Sequence, residues 1–155
     1  MPKTHAFRPE DTKQRVGSSY PEPFRAVCAS RIKHVLGDPA GLSQFGVNVT
    51  VLPPGQASAL RHWHKREDEF VYVLSGELTL ITDDGEEVMT AGMCAGFPGG
   101  VENGHHLVNR SESPASFLEI GSRLPDEEGF YPDDDLHLKM DGRKAVFTNK
   151  KGEAY

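Results

Sequence analysis

The clearest alternation in the chain runs from Gln44 to Leu52, with Phe45, Val47, Val49 and Val51 on one face and Asn48 and Thr50 on the other. A period of two is that of a half-buried strand. Pro53-Pro54-Gly55 ends it, and further strand-like runs follow at 60–64, 69–74, 78–82, 87–90, 93–97, 105–109 and 115–120. Between several of them sit turn signals: Ser75-Gly76-Glu77, Asp83-Asp84-Gly85, Ala91-Gly92 and Pro98-Gly99-Gly100. Many short strands at nearly even spacing predict an all-β antiparallel sandwich or barrel with little helix.

The flanks are less regular. Residues 1 to about 22 are polar, with Pro2, Pro9 and Pro21 and no sustained period, and read as an irregular arm on the body or on a partner subunit. Residues 24–36 read as a strand through Ala26, Cys28 and Ile32. After residue 121, Asp126, Glu127, Glu128, Asp133, Asp134 and Asp135 form an acidic run around Tyr131-Pro132. It reads as a surface loop before two weak strands at 136–140 and 144–148.

A length of 155 residues suits one domain, and 16 Gly with 11 Pro favour turns over long helices. The formal charge of −6 comes largely from the acidic run and leaves no basic stripe, which argues against nucleic acid or an anionic membrane as partner. Cys28 and Cys94 fit no metal-ribbon spacing and read as reduced thiols, hence a cytoplasmic home. No leader-type apolar region opens the chain and no stretch reaches the ~18 apolar residues of a spanning helix, so a soluble, unexported protein is expected.

Chemistry concentrates between Gly55 and Gly76. His62 and His64 are two apart, so on a strand they point the same way and can share one ion. Glu69 opens the run EFVYVL on the face of Val71 and Val73, and a turn over 65–68 would return its carboxylate to the imidazoles. His105-His106 could add a further imidazole from a remote strand. Three imidazoles and a carboxylate suit Fe, Mn, Ni, Cu or Zn, and octahedral geometry would leave two positions open for water or substrate.

These residues resemble the two motifs of the cupin superfamily. Gly55, His62, His64, Glu69 and Gly76 match the first, with six residues instead of five before His62. Gly92, Pro98, Gly100, His105 and Asn109 match the second, with four residues instead of two before the histidine. Both departures are insertions in turns, where they cost little. The resemblance implies a cupin double-stranded β-helix, a jelly-roll barrel, over 44–121, within a single domain of 1–155 whose arm is 1–23 and whose C-terminal extension is 122–155. It implies one divalent transition metal ion (Zn, Mn, Fe or Ni) on His62, His64, Glu69 and His105. Register counted back from Asn109 selects His105, with His106 as the alternative. The wider pattern, including HWHKREDEFVYVLSGE, GHHLVN and YPDDDL, is similar to small bacterial single-domain cupins, some labelled sugar-phosphate isomerase-like.

Around these ligands, Trp63 is expected to point away into packing and Arg61 to be a surface charge. Asp68 stands as the reserve ligand, and Gln44, Asn48 and Thr50 are candidate polar anchors at a barrel mouth. His5, His34 and His137 read as solvated. No nucleophile elbow, P-loop or dinucleotide fingerprint occurs, and no residue announces itself as catalytic. The expected function is a metal-binding cupin acting on a small polar metabolite such as a sugar phosphate, isomerase-like. A non-catalytic small-molecule binder and an Fe-dependent dioxygenase are the alternatives, and a homodimer is the expected assembly.

Overall fold

The period-two alternation of the chain's middle appears as strands in the computed structural model, which describes residues 5–155. In chain order the strands are β1 (Gln14–Val16), β2 (Ile32–Val35), β3 (Phe45–Leu52), β4 (Trp63–His64), β5 (Glu69–Ser75), β6 (Glu77–Thr82) and β7 (Gly85–Thr90). They continue with β8 (Cys94–Phe97), β9 (His106–Val108), β10 (Ala115–Ser122), β11 (Glu128–Phe130), β12 (His137–Asp141) and β13 (Lys144–Thr148). Helical structure among the described residues is limited to two 3-10 turns, Pro9–Asp11 and Phe24–Cys28. None is long and apolar enough to cross a membrane.

One sheet runs β1-β2-β3-β10-β5-β8, a second β7-β6-β9 and a third β13-β12-β11-β4. Within the first, Phe117 of β10 lies opposite Thr50 of β3 and Val73 of β5. That register turns one face of three adjacent strands inward. Leu52, Val71, Val73, Ala115 and Phe117 from this face meet Leu78, Leu80, Met89 and Leu107 of the second sheet in the main core. At ~1.5–3 kcal/mol for each large apolar side chain buried, this layer supplies the main force closing the barrel. The outward face of the same strands is also apolar, through Val47, Val49, Leu118, Ile120, Phe70, Tyr72 and Leu74.

Gly76 allows the tight reversal from β5 to β6. Its φ is +76°, and a Cβ there would stand 2.8 Å from the Ala115 Cβ, so glycine is required on both conformational and steric grounds. Asn109, fully buried, ties the β9–β10 connection: its Nδ2 donates to the Leu52 carbonyl at 2.7 Å and the Ser113 carbonyl at 2.8 Å.

The flanks depart from the sequence expectation. Residues 1–4 of the expected arm lie outside the described residues, and the rest is not simply irregular, because β1 pairs with β2 and extends the first sheet. The strand expected over 24–36 is a 3-10 turn followed by β2, since the Ala26–Cys28 alternation is interrupted before Ile32. The acidic run is not a surface loop throughout. It contains β11, and its Glu127 is only 1% exposed. Arm and C-terminal strands share a second core of Tyr20, Cys28, Tyr131 and Leu136, in which Tyr20 meets Tyr131 and Phe147 edge-on at 5.9 and 5.5 Å.

Candidate metal centre

His62 lies outside the named strands, yet it forms an antiparallel bridge with His105. The His62 N–H donates to the His105 carbonyl at 3.2 Å and the His105 N–H to the His62 carbonyl at 2.8 Å. This bridge joins the two halves of the motif pattern. Two residues on, His64 in β4 lies opposite Gly129 of β11. The turn over 65–68 then reverses the chain into β5 and delivers Glu69.

That turn is held by backbone donors meeting side-chain acceptors. The buried Glu127 carboxylate accepts the Arg66 N–H at 3.0–3.1 Å and also the Glu67 N–H. Asp68 accepts the Gly99 N–H at 2.8 Å, and Glu67 accepts the Leu124 N–H at 2.7 Å. An anion set among converging N–H groups is satisfied without a cation. Glu127 therefore acts as a clamp on the loop that aims Glu69.

The Glu69 carboxylate receives the imidazoles. His64 Nε2 lies 3.1 Å from Oε1, His62 Nε2 lies 3.6 Å from Oε2, and His105 Nε2 contacts Oε2 directly. The ligand atoms of His62, Glu69 and His105 all lie within 4.8 Å of one another; His64 joins them through the other carboxylate oxygen. Burial opposes ionisation of Glu69, but hydrogen bonds from His105, His62 and His64 outweigh it and hold its carboxyl well below the usual range. Burial lowers the basicity of His105, which favours its neutral form, whereas for His64 the pull of Glu69 and neighbouring carboxylates overcomes burial and raises it.

The donors fit a transition metal. The Leu60 carbonyl is 2.7 Å from His62 Nδ1; with the ring proton on Nδ1, Nε2 is a lone-pair nitrogen that can ligate an ion instead of donating to Glu69. The His105 ring stacks on Phe97 with centroids 3.7 Å apart and an interplanar angle of 1°, so its orientation is fixed by packing. Nitrogen and oxygen donors of this kind suit borderline divalent ions. A second grouping, His64 with Glu67 and Glu127, also brings ligand atoms within 4.8 Å. Its carboxylates are already engaged by backbone N–H groups, and His64 Nδ1 lies 3.9 Å from Glu67, beyond hydrogen-bond distance.

The other residues singled out from sequence take different places. His106 is outside the cluster, its Nδ1 donating to the Ala59 carbonyl at 2.8 Å. Trp63 stacks on Phe130 at 4.3 Å. Arg61 is no free surface charge: its side chain, 14% exposed, pairs with Asp83 and Asp133. Asn48 reaches the cavity beside the cluster and donates to Glu119 at 3.1 Å, while Thr50 is in the core and Gln44 is exposed outside the cavity. His34 is held by the Pro9 carbonyl at 2.9 Å, and His137 lies 3.3 Å from Glu128.

The cluster forms one wall of a cavity of about 330 Å³. Facing residues include Tyr20, Tyr131, Arg31, Lys33, Glu119 and Arg123. Sequence reasoning passed over these residues. An aromatic pair of residues within an otherwise acidic run, Phe130-Tyr131, was the one available hint. Burial pushes the Tyr131 phenol well above its ordinary value, so it stays protonated.

The family model described as Cupin domain matches residues 48–121. No curated protein matches the chain. Among solved structures, one named as a sugar phosphate isomerase from a cupin superfamily, from Silicibacter pomeroyi, is 45% identical over 97% of this chain and 96% of its own, with a TM-score of 0.92. A candidate sugar phosphate isomerase from Acidithiobacillus ferrooxidans is 29% identical, covering 82% of this chain and 81% of its own, with a TM-score of 0.73. The polyketide cyclase RemF from Streptomyces resistomycificus, at 22% identity, 76% and 78% coverage and a TM-score of 0.60, shares the fold alone. Barrel, paired motifs and a near full-length relative agree, and the chain belongs to the cupin superfamily.

Proposed function

We propose that His62, His64, Glu69 and His105 hold one divalent transition metal ion, and that the chain is an enzyme acting on a small oxygenated metabolite such as a sugar phosphate, by isomerisation. The observation that carries this reading is the convergence of three imidazoles on one carboxylate in a cavity wall. The name of the Silicibacter pomeroyi relative supports the substrate class. A bound ion would supply Lewis-acid polarisation of a substrate carbonyl or hydroxyl.

The chain's own residues supply the rest. Leu60 and Phe97 keep the imidazoles of His62 and His105 in place, and Glu127 fixes the turn behind Glu69. Aldose–ketose exchange needs a base that moves a proton between adjacent carbons. Among the described residues two cavity carboxylates stand outside the metal cluster: Glu67, which accepts the Leu124 N–H in the turn, and Glu119, which is paired with Lys33 and bonded by Asn48, and we assign the role to Glu119. The protonated phenol of Tyr131 stands as a hydrogen-bond donor on the same cavity.

The outward face of β3, β10 and β5 supports a homodimer, since Phe70, Tyr72 and Leu74 are 39%, 40% and 44% exposed there. A cytoplasmic home accords with the two free thiols, Cys28 and Cys94.

Metal analysis of the wild-type chain is expected to give about one ion per chain. His62→Ala should weaken binding by at least the roughly 10–100-fold that losing an outer-shell partner costs; equal metal content in both proteins would remove the centre. With metal loaded, turnover of a sugar phosphate should fall by roughly 10²–10⁴ in kcat in Glu119→Gln while metal content stays constant. Saturable binding without turnover across a broad sugar-phosphate panel would favour a binding protein instead. In sizing chromatography the wild type should elute as a dimer and Leu118→Glu, opposite Val49 and Tyr72 on the apolar face, as a monomer. A wild-type monomer, or an unchanged dimer in the variant, contradicts that interface.

A further inference from the structure

Among the described residues three cationic side chains line the cavity, and two of them are neutralised. Lys33 pairs with Glu119, and Arg123 Nη1 lies 2.8 Å from Asp38 Oδ1. Arg31 differs. Its Nη1 donates to the Ser58 carbonyl and its Nη2 to the Gly17 carbonyl at 2.8 Å, both neutral acceptors. Its Nε is buried with no hydrogen-bond partner, and among the described residues no carboxylate pairs with it.

An unpaired guanidinium in a cavity wall carries two deficits, a missing counter-charge and unused donors. One anionic group would supply the counter-charge and accept the remaining hydrogens of Nη1 and Nη2, each of which gives one to a carbonyl, since a guanidinium suits the oxygens of a phosphate or carboxylate. The side chain is also held ready for it. The Gly17 N–H donates to the Arg31 carbonyl at 2.9 Å and the Arg31 N–H to the Cys28 carbonyl at 3.2 Å, so both backbone and guanidinium are fixed before any ligand arrives. Such preorganisation lowers the ordering cost of binding. The cavity volume of about 330 Å³ lies at the small end of the ~300–1,000 Å³ usual for small-molecule sites.

We propose that Arg31 is the anion anchor of this cavity, binding the phosphate or carboxylate of a ligand whose other oxygens face His62, His64, Glu69 and His105. This rests on the reading of the cavity as the ligand site and narrows the ligand to one that is anionic. Neutral sugars lack the group that Arg31 would hold.

The test uses the full chain, as purified and after chelation, titrated calorimetrically with inorganic phosphate and, in parallel, with glycolate. Saturable binding of either anion is expected in both forms, weakened roughly tenfold or more in Arg31→Met and less in Arg31→Lys. The preferred probe separates a phosphate from a carboxylate ligand. Because Arg31→Met also removes bonds to two carbonyls, a second readout is taken on the wild type: the Arg31 side-chain N–H resonances should shift on anion addition. Anion binding that survives in folded Arg31→Met, resonances that do not move, or binding lost on chelation would each overturn the proposal; the last would place the anion on the metal instead. Absence of a metal ion at the four-residue centre would leave the result in the chelated form standing, so the two ideas fail separately.

Discussion

Everything in this structure turns on the Glu69 carboxylate, which the fold sets among three imidazole nitrogens. Removing a carboxylate from water costs several kcal/mol unless charge or hydrogen bonds replace the lost solvation. Imidazoles can supply those bonds as donors, or all the groups together can supply a cation with ligands. The second arrangement satisfies each group at once, as neutral imidazoles and an ionised carboxylate are the forms that ligate. The lowered basicity of His105 lies in that direction, whereas the raised basicity of His64 and the imidazole hydrogen bonds that hold the Glu69 carboxyl low belong to the first arrangement.

Geometry around Glu69 is held at long range. Sixty-one residues separate Arg66 from the Glu127 carboxylate that accepts its N–H, and 43 separate His62 from its bridge partner His105. The main core sets how the two principal sheets meet, whereas the second core, around Tyr20 and Tyr131, closes the cavity with residues from both ends of the chain. The flanks are thus part of the site's walls. Arg31, immediately before β2, reaches the cavity because Gly17, just after β1, and Cys28 of the preceding 3-10 turn hold its backbone.

Much of this was legible locally. Period-two alternation located β3 and β5 through β10 to within a residue or two, because successive side chains of a strand alternate between faces, although in β3 the valines take the outward face and Thr50 and Leu52 the core. His-x-His and the opening position of Glu69 followed from the same parity. His105 required the family resemblance, because a bridge between positions 62 and 105 has no local signature. Glu127 was hidden in a run of acids: whether a carboxylate is solvated or clamps a turn depends on which N–H groups the fold brings to it. Arg61 misled for the same reason, since its partners Asp83 and Asp133 lie 22 and 72 residues away. The 3-10 turn at Phe24–Cys28 was misread because its apolar side chains serve a second core that the barrel pattern does not announce.

The most direct test of the four-residue centre is X-ray absorption spectroscopy of the metal-loaded chain. It resolves ligand type and distance around the ion itself. Three imidazole nitrogens and at least one carboxylate oxygen near 2.0–2.2 Å are the predicted shell for a first-row ion. A shell with a single imidazole and oxygen donors, as the His64–Glu67–Glu127 grouping would provide, would contradict the centre described above.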